Sequence, residues 1–243
     1  MSLATAFAIS GAAVDPNTGV TRSRPLAFIM TLLNVRLGYW LINPKSNIFM
    51  KQAAAPLWHI YAFKEMLGWG MNEDNYYVHV SDGGHFENLG LYELIRRKCP
   101  YIIVSDAGAD PDYTFRDIAR VCELVRVDFN AEIEIDVMPL IPDSETGYSS
   151  KAFIIGKIRY FNQESKKYDK TGKLVYINTV VTAKGLPQSI YGYKRDYNDF
   201  PDESTANQFF NETQFEAYRE LGYRIGESIV KNWKSGKVEE IFK

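Results

Sequence analysis

Tyr76-Tyr77-Val78-His79-Val80-Ser81-Asp82-Gly83-Gly84-His85-Phe86-Glu87-Asn88-Leu89-Gly90 decides the reading of this chain. An apolar, strand-like run leads in, and an amphipathic helical pattern from Leu91 to Arg97 leads out. That order puts Asp82 at the carboxyl end of a strand, the edge of an open α/β sheet where ligands and catalytic groups collect. Two successive glycines permit a tight turn and the close approach of another group. The next apolar run, Tyr101-Ile102-Ile103-Val104-Ser105, ends at Asp106. Its apolarity is continuous, which predicts a strand buried on both faces of a parallel sheet. The helix between the two strands, Asn88 to Lys98, supplies the crossover that parallel strands require.

Outward from this centre, the first 75 residues read as helices punctuated by glycine and proline. Pro25 to Leu37 and Leu57 to Leu67 are the predicted helices, with a break at Asn43-Pro44. Beyond Asp110-Pro111 a helix is predicted from Thr114 to Arg126, with Phe115, Ile118, Ala119, Cys122 and Val125 on one face. The alternation from Ala131 to Asp136 predicts a half-exposed strand. A hairpin follows, Ala152 to Tyr160 and Leu174 to Thr182, around a lysine-rich loop containing Thr171-Gly172. A long helix is predicted from Thr205 to Trp233, with Ser204 as its N-cap. The series Phe209, Phe210, Phe215, Tyr218 and Leu221 is expected to pack on the sheet, and Gly222 and Gly226 to bend or divide the helix. The expected fold is α/β: a mainly parallel sheet flanked by helices, an added β-hairpin and a long C-terminal helix. Residues 1–190 form the main domain and 191–243 a helical extension packed on it.

Composition narrows the function. A chain of 243 residues suits one large domain, or one with a small appendage. A net charge of -2 gives no basic field for nucleic acid. Cys99 and Cys122 sit in apolar patterns and read as buried thiols. With only His59, His79 and His85, a histidine-rich metal cluster is not expected. Leu26 to Ile42 is apolar but interrupted by Asn34 and Arg36, and is shorter than the roughly 20 residues of a spanning helix. It suits a core or interfacial helix, which leaves peripheral membrane contact open. Met1-Ser2-Leu3 lacks the charged region of a secretory signal and reads as a remnant joined to the interior of a longer protein.

Three readings of the Asp82 region compete. Asp82 can be a general base that takes a proton directly from a serine hydroxyl. Asp82, His85 and Glu87 can hold a metal, with oxygens added by Asp106 and Asp110. Or Asp82 caps a turn while His85 is buried and satisfied, since Asp-Gly is a common turn dipeptide.

The run from Ser81 to Leu94, followed by Tyr101 to Pro111, resembles the patatin-like phospholipase family. Within it, the likeness is to the bacterial branch that approaches the cytosolic phospholipases. Ala8-Ile9-Ser10-Gly11-Ala12-Ala13 resembles the small-residue stretch that precedes the aspartate in patatins. Asn34 to Trp40 and Ser204 to Phe210 also resemble the bacterial branch. The resemblance implies half of a patatin-like α/β hydrolase, with Asp82 as the base of a Ser-Asp dyad that uses no histidine. It implies a lipid or ester substrate and no metal or other cofactor. Gly83, Gly84, His85, Asn88, Ser10 and Gly11 would shape the site, with His85 and Asn88 holding the turn. Asp106 is read as structural.

One departure is large. The family carries a glycine-rich oxyanion loop and a serine in a Gly-x-Ser-x-Gly elbow. No serine here has glycine at both -2 and +2, and Ser10 comes nearest. By its match to the small-residue stretch, Ser10 belongs to the wall of the site. The expectation is therefore that nucleophile and oxyanion loop lie upstream in the same protein, and that this chain alone is inactive. The contrasting expectation is a non-catalytic, membrane-associated scaffold with a hydrolase-like fold. Either fits a cytoplasmic or membrane-associated location.

Overall fold

The structure is a computed structural model that describes residues 2–12, 14–15, 23–35, 37–45, 57–70, 72–204, 207, 209–231 and 237–242. Ala13, Arg36, Thr205, Ala206, Gln208 and Trp233, named in the motifs and the C-terminal helix above, lie outside the described residues. The chain divides into two compact units, Met1–Asn88 and Leu89–Lys243. The expected boundary at 190/191 falls inside the second unit.

The first unit holds α1 (Leu3–Ser10), α2 (Arg24–Leu32), β1 (Tyr39–Ile42), α3 (Trp58–Leu67) and β2 (Tyr77–Val80), then a 3-10 turn, Gly83–His85. The Ser2 side chain caps α1 by accepting from the Thr5 N–H at 3.1 Å. Pro25 sits in the first turn of α2, where its missing N–H costs nothing. Strands β1 and β2 pair antiparallel, with Tyr39 opposite Val80 and Trp40 opposite His79. Buried Asn43 secures the far end of this pair. Its Nδ2 donates to the carbonyls of Glu73 (2.7 Å) and Asn75 (2.8 Å).

The second unit contains α4 (Leu91–Arg96), β3 (Tyr101–Asp106), α5 (Arg116–Phe129), β4 (Glu132–Glu134), β5 (Phe153–Asn162), β6 (Lys167–Asn178), α6 (Gln188–Asp196) and α7 (Glu212–Val230). Its four strands are ordered β3-β6-β5-β4, with β3 parallel to β6 and the other pairings antiparallel. Ile102, Val104, Ile154, Ile158, Leu174 and Tyr176 form one core with Ile118, Val121 and Val125 of α5. On the other sheet face, Val175 packs in a second core with Leu221 and Ile225 of α7.

The architecture is α/β, but several expectations need correction. The sheet is mixed, with one parallel pairing, and β2 and β3 do not share it. The β1 run Tyr39-Trp40-Leu41-Ile42 satisfies β2 as an antiparallel partner, while β6 takes the edge of β3. The run in β3 is buried on one face only: Ile102 is 2% exposed and Ile103 is 50%. The hairpin is not an addition, because β6 is the strand between β3 and β5. Thr171-Gly172 lies within β6 instead of in the loop. Gly172 is there for closeness: a Cβ would stand 3.1 Å from both the Cys99 carbonyl and the Tyr160 ring.

The helices also differ in detail. The expected α5 face turns slightly, with Val121 buried and Ala119 exposed. Helix α7 starts at Glu212, capped by Asn211 and not by Ser204, and runs unbroken through Gly222 and Gly226. Phe209 and Phe215, expected in the core, are 91% and 62% exposed. Of that series Leu221 reaches full burial; Phe209 precedes the helix, and Phe215, six positions before Leu221, lies about 120° away around it.

A substitution tests the position of Gly172. Gly172→Val is expected to lower stability in chemical denaturation by about 1–3 kcal/mol through overpacking against Tyr160. A loop position would accept the same change with almost no loss.

Candidate active site

Strand β2 ends at Val80, and the chain turns at once. The Asp82 backbone is extended (φ -60°, ψ 135°) and its side chain caps the 3-10 turn, with Oδ1 accepting from the Gly84 N–H at 2.8 Å. Asp82 is half-buried. Among the described residues its Oδ2 has no hydrogen-bond partner in the chain.

The turn is fixed from one side by the segment after α1. The Ala12 carbonyl accepts from the Ser81 hydroxyl at 3.1 Å and faces His85 Nε2 at 3.2 Å. His85 thus faces backbone. Ser10 does not reach the turn: its hydroxyl donates to the Phe7 carbonyl at 2.7 Å within α1. Gly11 caps that helix: its N–H donates to the Ala8 carbonyl at 3.3 Å and the Ala12 N–H to the Ile9 carbonyl at 3.0 Å. Ser10 therefore ends a helix exposed, not on a strand-to-helix elbow, and the member of the stretch that builds the site is Ala12.

The two glycines have separate reasons. Neither has a positive φ. A Cβ on Gly83 would meet nothing within 4 Å, whereas on Gly84 it would stand 2.6 Å from Asn88 Oδ1. Gly84 makes room for the Asn88 side chain, and Gly83 does not need to be glycine for space.

Beneath β2 lies a group that sequence reasoning missed. His79 Nδ1 is 3.3 Å from Asp15 Oδ2, and His79 Nε2 is 3.6 Å from Glu65 Oε1. Trp40 Nε1 donates to Glu65 Oε1. The Gly38 N–H donates to Asp15 Oδ1 at 3.0 Å. Burial pushes the Asp15 carboxyl up from the ordinary aspartate value, against the lowering effect of nearby His79 and of the Gly38 N–H. The available signal was polar residues at period-2 spacing, His79 and Ser81, in an otherwise apolar strand.

Asp106 and Asp110 make hydrogen bonds within the second unit. Asp106 Oδ1 accepts from the Gly108 N–H at 3.1 Å, and Oδ2 from the Tyr176 hydroxyl at 2.5 Å. Burial, with Asp106 beside it, pushes the Tyr176 phenol far above its usual value. Asp110 accepts from Thr114 Oγ1 (2.8 Å) and the Phe115 N–H (2.7 Å), which holds Phe115 in a left-handed conformation (φ 48°). Among the described residues, no three His, Cys, Asp or Glu side chains are grouped to hold a metal ion. Cys99 and Cys122 are free thiols, and burial raises that of Cys122. Among the described residues no helix is long and apolar enough to cross a membrane.

The two glycines separate in a mutational test. Gly83→Ala is expected to change thermal stability very little. Gly84→Ala should cost about 1 kcal/mol by displacing Asn88, the low end of overpacking costs. Equal losses would contradict this account of the turn. Comparison of the chain with protein-family models, curated proteins and solved structures finds no match.

Proposed function

We propose that this chain is the C-terminal part of a patatin-like lipid acyl hydrolase and that Asp82 is its general base. The observation that carries the reading is the state of the Asp82 carboxylate. One oxygen is pinned by the Gly84 N–H at the end of a strand, and the second has no partner among the described residues. The long resemblance of Ser81 to Leu94 to the patatin-like family supports the same role.

In the proposed reaction a serine from the upstream part of the protein attacks an ester carbonyl. Asp82 takes the hydroxyl proton as the Oγ–C bond forms, and that proton passes to the departing alkoxide. Asp82 then takes a proton from the water that cleaves the acyl-enzyme, and the serine oxygen regains one on leaving. Backbone N–H groups of an upstream glycine-rich loop would stabilise the oxyanion. The His85 ring, directed at the Ala12 carbonyl, supports a dyad in which histidine serves the turn and not proton transfer.

Apolar exposure in the first unit supports the partners proposed. Leu26, Phe28, Ile29, Leu32 and Leu33 around α2, and Phe63 and Trp69 in and after α3, all face solvent. A patch of this kind marks a surface meant to be covered, here by the upstream part of the protein or by lipid during peripheral contact. The same surface favours the second reading, a non-catalytic membrane-associated scaffold.

Activity separates the two. The full-length protein should hydrolyse short-chain and phospholipid esters, and Asp82→Asn should lower turnover by about 10²–10⁴-fold, the usual worth of a general base. The present chain alone should hydrolyse neither. Unchanged hydrolysis in the variant would remove Asp82 from the mechanism, and an inert full-length protein would favour the scaffold.

A further inference from the structure

The outer edge of β5 carries a gap. In an antiparallel ladder, opposite residues alternate between exchanging both backbone bonds and exchanging none. The Asn178 N–H donates to the Ala152 carbonyl at 3.1 Å, and the register continues with Phe153 opposite Ile177 and Ile154 opposite Tyr176. Ala152, Ile154 and Gly156 therefore bond inward to β6, while Lys151, Phe153, Ile155 and Lys157 present their backbone groups outward. At one end of this edge the Lys151 N–H donates to the Pro139 carbonyl at 3.0 Å. At the other end Lys157 lies opposite Glu134 of β4. Between them the outward N–H and C=O groups of Phe153 and Ile155 have no backbone partner among the described residues.

The gap opens onto a cavity of about 630 Å³, a size common among ligand sites. The successive residues Ser150 to Ile155 all line it. Alternate side chains of a strand point to opposite faces, so an unbroken run of lining residues means that the cavity follows the edge of β5 and not one face. Further walls come from Leu186, in the loop before α6, and from Ile225 of α7. The whole cavity belongs to the second unit. Two outward donors and two outward acceptors at strand spacing match the main chain of another extended segment, which could pair with all four.

The charges choose the partner. Lys151, Lys184 and Arg224 line the cavity against one carboxylate, Asp136. Arg224 is held by Glu220 and Glu227, and Asp136 Oδ1 accepts from the Met138 N–H at 3.1 Å. Lys151 and Lys184 are exposed, and among the described residues their ammonium groups make no hydrogen bond or ion pair. The lysines also disfavour a second copy of this chain. Two β5 strands paired antiparallel about Ile154 would set Phe153 against Ile155 and Lys151 directly against Lys157, and like charges in opposite positions repel. We propose that the open edge of β5 is a peptide-binding site whose ligand is an extended acidic segment of a partner protein, added as a further strand. The site takes no part in the chemistry proposed for Asp82 and does not depend on it.

The test is fluorescence anisotropy of the full chain with a fluorescein-labelled, end-capped hexapeptide of alternating glutamate and valine, at low salt. Saturable binding is expected, with slowed hydrogen exchange in residues 150–156. Two changes should each weaken binding at least about tenfold. One is methylation of every backbone nitrogen of the peptide, which removes its strand donors and keeps its charge. The other is the double variant Lys151→Glu, Lys184→Glu, made at two exposed positions. A lysine-valine peptide of the same length should not bind. Equal binding of the methylated peptide would mean attraction by charge alone and would overturn strand addition, and this comparison needs only the wild-type chain. Absence of saturable binding by the unmethylated peptide, or protection that falls outside 150–156, would overturn the site. A dimer in sedimentation velocity whose formation blocks the peptide would put a second copy on the edge and overturn it as well.

Discussion

The orientation of Asp82 depends on the carbonyl of Ala12. That single acceptor faces both Ser81 and His85, so the last residue before the Asp82 turn and the last residue of the turn are referred to one point. Within this bracket Asp82 needs only the Gly84 N–H to fix one of its oxygens. Three residues further along, Asp15 carries the same segment to His79 under β2. The turn is held through backbone groups, the Ala12 carbonyl and the Gly84 N–H, since the 3-10 turn itself contributes no buried side chain.

This arrangement suits a base that works without a histidine partner. In a Ser-His-Asp triad the carboxylate orients an imidazole and stays ionised. In a dyad the carboxylate must meet the serine hydroxyl itself, so its backbone has to be positioned closely and one oxygen kept accessible. The two histidines near Asp82 serve other ends: His85 faces a carbonyl, and His79 lies between two carboxylates. The second unit is built by different means, with a mixed sheet covered by α5 on one face and α7 on the other.

What the sequence reveals depends on the range of the interaction. The strand before Asp82 and the turn after it are legible because local residues set them. Helix α5 is legible as a helix, but the amphipathic period does not separate Val121 from Ala119, and tertiary packing chose Val121. The apolar run of β3 reads as buried on both faces because periodicity cannot show which face a neighbouring element covers. Gly172 reads as a turn because glycine marks turns more often than close packing, while here Tyr160 and the Cys99 carbonyl exclude a side chain. Ser204 and Asn211 are both good N-caps, and the helix that forms begins at the second. The array of Asp15, Glu65 and His79 is only partly legible: polar His79 and Ser81 stand out in an apolar strand, but Asp15 and Glu65 are distant in sequence and nothing local shows that they meet His79. The small residues around Ser10 suggest a wall of the site, whereas Ser10 ends helix α1 with its hydroxyl on the Phe7 carbonyl.

The central claim is that Asp82 activates a serine outside the residues present here. Labelling the full-length protein with a fluorophosphonate, and locating the modified residue by mass spectrometry, tests it most directly. The account predicts a single labelled serine upstream of this chain, modified far more slowly in Asp82→Asn. Labelling at Ser10, or at an upstream serine at a rate indifferent to Asp82, would contradict it.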